Sequence, residues 1–317
     1  MINKQIFKNY EEWAAYRTGR PLLGSSDVGY ILGVNPYESP YQYWRRKRLE
    51  LAGNGVETEA DKVANLMRGR FKEEAIAREF EAATGEKVIK ESAALVTYTN
   101  SELPEWVQAS PDRELFSKRR GKRAILECKD SRRFFDVLDA ETTPKEWYAQ
   151  IQWQMGVMRR DAAYIAVEDG NKQLRYARFG FDSAVFDHIL NYCSEWFERY
   201  ILGDDTPPLT TGADVETVFP VARPEAVQVD AGIFEAVEKY KALAARKKEL
   251  EKEMSELADA LKVGAGACEV AEYAGSTLYT FKTVTKSGLD LERLKNEHPE
   301  IVEAYQKTTS YRTLRVK

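Results

Sequence analysis

The feature that most narrows what this chain can fold into is an apolar run broken by charge at alternate positions. Ala124-Ile125-Leu126-Glu127-Cys128-Lys129 reads as a strand. Strand side chains alternate faces, so Glu127 and Lys129 point one way while Leu126 and Cys128 point the other. An otherwise apolar strand thus presents a carboxylate and an ammonium on one face. Ser110-Pro111-Asp112 lies shortly before it, and if Asp112 ends the neighbouring strand its carboxylate can meet that of Glu127. Two hard oxygen ligands side by side suit Mg²⁺ or Mn²⁺, and an adjacent lysine can orient a water or help deprotonate it. The residues alone leave a second reading open, in which Glu127 and Lys129 are a surface ion pair and Asp112 merely follows a proline into a turn.

The elements around this strand are predicted by spacing. Helical spacing over Tyr10 to Arg17 leads to a Gly24-Ser25-Ser26-Asp27 loop whose Ser or Asp caps a second helix, Val28 to Leu32. A helix carrying Tyr41, Trp44 and an RRKR run follows, then a long one from about Asp61 to Ala83, stopped at Gly85. KVIKESAALVTY, EWVQASPD, RELFS and AILECKD read as a small antiparallel set. WYAQIQWQMGVM is helical, with Trp147, Ile151, Met155 and Met158 on one stripe; two strands around Gly170-Asn171 and an amphipathic helix, Val185 to Ile201, close an α/β (α+β) core. This divides the chain into a core over 1–204, a Pro/Gly/Asp/Thr-rich linker over 205–230, and an extension over 231–317. The extension combines a long helix of mixed three-and-four apolar spacing with a small sheet, ACEVAEYAG, STLYTFKTVTK and SYRTLRVK, around a helix near Leu289 to Tyr305.

Composition removes several classes. With 43% hydrophobic and 31% charged residues, the chain is not wholly disordered. No apolar run approaches the ~20 residues needed to cross a bilayer, and MINKQIFKNYEEW lacks a signal peptide's apolar core, so a cytoplasmic protein without membrane association is expected. Three scattered cysteines and two histidines support neither disulfides nor a Cys/His metal centre, which leaves carboxylates to hold any metal. The net charge of −4 argues against indiscriminate coating of nucleic acid, yet Arg45 to Arg48 and Lys118, Arg119, Arg120, Lys122 and Arg123 are local basic runs suited to phosphate.

Four ordered segments, Trp13-Ala14-Ala15-Tyr16-Arg17, GSSDVGYILGVNPYESPYQYW, the GRFKEEAIAREFEAATG helix with ASPD and LECKD, and WYAQIQWQMGVM, together resemble the phage exonuclease family. That family includes lambda exonuclease and the YqaJ-like viral recombinases, within the PD-(D/E)XK nuclease superfamily. The resemblance implies a restriction-endonuclease-like core whose mixed central sheet is flanked by helices. It places metal-binding acids at Asp112, Glu127 and Glu73, the main-chain carbonyl of Cys128 beside them, the catalytic lysine at Lys129 and the active-site glutamine at Gln150. A terminal 5′-phosphate would be gripped by Arg17 and Ser26, although two more residues separate Arg17 from the GSSD loop than in lambda exonuclease. The helical wheel agrees on Glu73: Phe71, Ala75, Ile76, Phe80 and Ala83 form the expected buried face, Glu73 flanks it and Glu74 points to solvent. Gln154 is expected as a buried or interface amide.

The activity this resemblance implies is Mg²⁺-dependent digestion of linear double-stranded DNA from its ends, 5′ to 3′. It would leave 3′ single strands for a single-strand annealing protein in phage-type recombination. The implied assembly is a homo-oligomer, a ring of three subunits threaded by DNA. An endonuclease of the same superfamily and a non-catalytic DNA-end or assembly module are the alternatives. The complete set of Asp112, Glu127 and Lys129 speaks against the second.

Overall fold

The computed structural model describes residues 1–17, 19–53, 60–89, 95–117 and 121–317, in two compact units, Met1–Val215 and Glu216–Lys317. In the first unit a five-stranded mixed sheet runs in the order β2 (Lys87–Val88), β4 (Arg113–Ser117), β5 (Lys122–Asp130), β6 (Ala162–Glu168), β7 (Leu174–Gly180). β4 and β5 pair antiparallel from Arg113↔Leu126 to Ser117↔Lys122, while β5 and β6 are parallel from Ile125↔Ala163 to Asp130↔Glu168. A parallel pair needs a crossover, and α5 (Lys145–Met158) provides it.

The alternation in β5 sorts two cores. Ile125 joins Ala163, Ile165 and Val167 beneath α5, α2 (Val28–Ile31) and α6 (Ser183–Phe197). Ala124, Leu126 and Cys128 face the other way, onto Ile76, Ala77 and Phe80 of α4 (Ala60–Thr84). The fold is therefore mixed α+β, a mixed central sheet flanked by helices, as expected. Gly156 permits the close approach of α5 and α6, because a Cβ there would stand 2.3 Å from the Phe186 ring.

Several expectations are corrected. Phe71 is 72% exposed and Ala75 and Ala83 are exposed, so the buried face of α4 is the narrower Ile76-Ala77-Phe80 set. EWVQASPD, bracketed by Pro104 and ending on Pro111-Asp112, forms isolated bridges, Leu23↔Val107 and Tyr98↔Ala109, and no strand. An unexpected strand, β1 (Ile2–Phe7), pairs with β3 (Leu95–Asn100) in a separate sheet; its mostly exposed side chains carry no clean apolar alternation. Asp27 precedes α2 without capping it by side chain, accepting instead the Gly24 N–H at 2.9 Å.

The basic run of α3 (Pro40–Leu51) is largely engaged within the protein. Arg46 pairs with Glu38 and Glu50, Lys47 is buried, and Arg48 donates to the carbonyls of Ile201 and Gly203. Of the second run, Lys122 pairs with Asp161 and Arg123 with Glu114, whereas Lys118, Arg119 and Arg120 lie outside the described residues.

The second unit contains α8 (Ala231–Ala265), a hairpin of β8 (Val270–Tyr273) and β9 (Ser276–Thr280), and the short helices α9 (Leu291–Glu297) and α10 (Pro299–Tyr305). SYRTLRVK, expected as a strand, has no regular structure. Between α6 and α8, a short helix α7 (Gly212–Val218) places Asp214 in a buried position.

Candidate active site

The register of β4 on β5 builds the centre of the site. Continued one residue beyond Arg113↔Leu126, it sets Asp112 opposite Glu127. Asp112 Oδ2 accepts the Cys128 N–H at 2.8 Å, which fixes the carboxylate at the end of β4 beside β5. Glu127 is buried, at 2% exposure, and both of its oxygens are engaged. Oε1 accepts from Lys129 Nζ at 2.7 Å and from Gln150 Nε2 at 2.7 Å, and Oε2 accepts from Gln154 Nε2 at 2.9 Å. Lys129 Nζ also donates to Gln150 Oε1 at 2.9 Å. Each of Glu127, Lys129 and Gln150 thus bonds the other two, so none of the three can rotate alone.

Glu73 enters from α4, on the other side of the sheet, through Arg113. The guanidinium lies 3.8 Å from Glu73 and 3.2 Å from Glu74. Glu74 is therefore not simply solvated: it bridges Arg113 and Arg78.

Burial pushes the Asp112 carboxyl well above its ordinary range, and the neighbouring Glu127 and Glu73 push it further. Glu73 is raised by burial and by Glu127, against the opposing pull of Arg113. Burial lowers Lys129, but the Glu127 and Asp112 carboxylates outweigh it and hold the ammonium protonated. Lys129 is consequently a cation and a donor at neutral pH. The Cys128 thiol is pushed well up by burial on the Phe80 side, so only its main chain faces Asp112.

Among the described residues no three His, Cys, Asp or Glu side chains are gathered closely enough to hold an ion between them. The donor chemistry nevertheless fits one. Asp112, Glu127 and Glu73 are hard oxygen donors whose mutual repulsion a divalent cation relieves. The Cys128 carbonyl projects from the strand on the same side as its N–H, toward Asp112.

Arg17 and Ser26, expected together, line one open groove of about 510 Å³ with Asp27, Tyr30, Tyr37, Glu38 and Arg46. Arg17 stacks on Trp13, its guanidinium 4.8 Å from the ring centroid, and lies 3.6 Å from Asp27. The preceding residue, Ser25, turns inward and accepts from Gln154 Nε2 at 3.3 Å. Gln154 thereby touches both the groove's loop and Glu127, while its own Oε1 is buried with no partner among the described residues. Its place in the site was missed in sequence, although Gln150 and Gln154, one helical turn apart, share a face.

Residues 12–161 match the YqaJ-like viral recombinase domain. The resemblance read from the four segments is borne out over that stretch. Over 329 aligned residues, covering all of this chain and 97% of the relative, the chain is 26% identical to the uncharacterized protein YqaJ of Bacillus subtilis. Among solved structures it is similar to an alkaline exonuclease from Laribacter hongkongensis (20% identity, TM-score 0.44, 61% of this chain and 93% of that one). It is also similar to a phage related exonuclease from Haemophilus somnus (15%, 0.39, 57% and 95%).

Proposed function

We propose that this chain is a divalent-metal-dependent deoxyribonuclease that digests linear duplex DNA from its ends, 5′ to 3′, and leaves 3′ single strands for a strand-annealing partner. The match of residues 12–161 to a viral recombinase domain supports the recombination setting. The observation that carries the reading is the closed Glu127–Lys129–Gln150 network with Asp112 across the register, joined through Gln154 and Ser25 to a groove holding Arg17. A carboxylate pair with a cationic lysine suits hydrolysis of a phosphodiester, and a neighbouring arginine suits the end of the strand.

Asp112, Glu127 and the Cys128 carbonyl, with Glu73 at the margin, would hold Mg²⁺ or Mn²⁺. When bound, such an ion supplies an activated water and neutralises charge developing on the phosphate. Lys129, kept protonated by its carboxylate neighbours, orients the attacking water by donation. Gln150 fixes the lysine and Glu127 relative to one another. Arg17 offers a forked donor and Ser26 a hydroxyl to a terminal phosphate monoester. In this proposal the cut proceeds from the phosphorylated end inward, with a ring of subunits around the duplex.

The test is digestion of linear duplexes labelled at one end, alongside covalently closed circles, with Mg²⁺ and with chelator. Metal-dependent release from 5′ ends with circles untouched is expected. Cleavage of closed circles would replace the end-directed reading with an endonuclease, and no cleavage under any divalent ion would overturn the enzyme.

A further inference from the structure

The second unit contains a surface that the nuclease reading does not use. Along α8, positions three and four apart from Ile233 to Leu261 are apolar except Lys247 at the centre (Ile233, Ala236, Tyr240, Leu243, Lys247, Leu250, Met254, Leu257, Leu261), the spacing of a coiled-coil seam over four heptads. The seam is exposed: Leu243 is 57%, Met254 69% and Leu257 66% exposed. Its own unit covers only the end of the helix, where Tyr279 Oη donates to the Leu261 carbonyl at 2.8 Å and Ala265 is buried. An apolar stripe on a highly charged helix is stabilised by burial against a complementary surface, and its seam spacing suits another helix.

Charge identifies the partner. Residues 231–248 hold five basic and two acidic side chains, whereas residues 249–265 hold five acidic and two basic ones. Two copies laid side by side in parallel set basic half on basic half and Lys247 on Lys247. Laid antiparallel, each basic half meets an acidic half. The seam agrees in detail, because antiparallel a-to-d layering closes in full overlap about the middle of the helix. Tyr240 meets Leu257, Met254 meets Leu243, and Lys247 meets Leu250. At the ends large residues meet small ones, Leu261 with Ala236 and Ile233 with Gly264. Arg246 then flanks Glu253 of the second copy, twice by symmetry.

We infer that α8 is a self-association surface that pairs with α8 of a second copy of this chain, antiparallel and in full overlap. This contact lies outside residues 12–161 and is independent of the proposed activity. It joins two copies whatever ring the first unit makes.

The test uses the full-length chain with Cys268→Ser to remove the exposed thiol; the other two cysteines are buried. Under mild oxidation, Tyr240→Cys combined with Leu257→Cys should give a covalent species of twice the chain mass. Leu257→Cys alone should not, because two copies of that position are roughly 25 Å apart in the antiparallel pair at 1.5 Å per residue. Light scattering should show Leu250→Glu at half the wild-type mass with its helical circular dichroism retained. Cross-linking of Leu257→Cys with itself means a parallel pair and overturns the proposal. Absence of any cross-link, or an unchanged mass for Leu250→Glu, means that the stripe is covered by the chain itself or by another protein, and overturns it equally.

Discussion

Both oxygens of Glu127 and one of Asp112 are satisfied by donors that leave the two carboxylates side by side, so the site stores repulsion that is relieved by a proton or a cation. The consequence for Asp112 has a definite sign. Its folded-state pKa is raised above the unfolded value, so without metal its charge destabilises the fold at neutral pH, and that penalty disappears as pH falls through the raised value. Asp112→Asn should therefore raise the melting temperature of the metal-free protein at pH 7–8, with a gain that shrinks toward pH 4. It should also abolish cleavage, and Mg²⁺, expected to raise the melting temperature of the wild type, should leave that of the mutant unchanged. Calorimetry with and without Mg²⁺ checks this, and a mutant that melts lower at pH 8 contradicts it. In the proposed groove, Arg17→Ala should slow digestion of 5′-phosphorylated ends about 10- to 100-fold, the loss of ~1.5–3 kcal/mol of charge-assisted bonding, and spare 5′-hydroxyl ends. Rates on the two ends check it. The shared face of Glu127 and Lys129 was legible because strand alternation is local, while the place of Asp112 beside them was implied by the resemblance. Ser25, Gln154 and Arg113 were not, because their partners lie 129, 27 and 39 residues away and nothing in their own neighbourhoods names them.

Elements were legible where period and punctuation agree. α5 shows this, with Ile151, Met155 and Met158 fully buried as the stripe requires, and so does α4, ended at Gly85 with φ +70°. Residues 105–112 read as a strand and form only isolated bridges, whereas β1, at a polar edge, carries too little apolar contrast to be read. For the RRKR run, charge patterning reports only that cations are present, whereas in the structure Glu38, Glu50 and the carbonyls of Ile201 and Gly203 engage Arg46 and Arg48, and Arg46 also lines the groove with Arg17. Contacts between elements are invisible in the period as well, and Gly156 is the clearest of them. Gly156→Ala forces the buried Phe186 ring aside and should cost about 1–3 kcal/mol by overpacking. Denaturant unfolding measures it, and Phe186→Leu in the same chain should recover part of the loss. If alanine at 156 leaves the midpoint unchanged, α5 and α6 have more room than the structure shows.

At the scale of the whole chain, every residue assigned to the proposed site precedes Val215, the end of the first compact unit. The chemistry should therefore survive removal of residues 231–317, and where the chain is cut matters more than that it is cut. Asp214 is fully buried: its carboxylate accepts from Ser39 Oγ at 2.5 Å and from the Thr210 and Thr211 amides at 2.9 Å each. Ser39 in turn caps α3, its Oγ accepting the Gln42 N–H while its own N–H donates to Gln42 Oε1. A chain ending at 204, where periodicity places the end of the core, loses this anchor and leaves Ser39 without its buried acceptor. Leaving such a group unsatisfied costs about 1–3 kcal/mol. Residues 1–230 should fold and cut linear duplex in Mg²⁺ at a rate per encounter near that of the full chain. Residues 1–204, and the full chain with Asp214→Ala, should unfold at lower denaturant while keeping the metal requirement. Without α8 the 1–230 protein should also lose the two-copy contact and release DNA after shorter tracts, which single-round digestion in the presence of competitor DNA measures. Equal stability of the two truncations would show that Asp214 does not anchor α3, and full-length tracts from 1–230 would show that the second unit does not retain DNA.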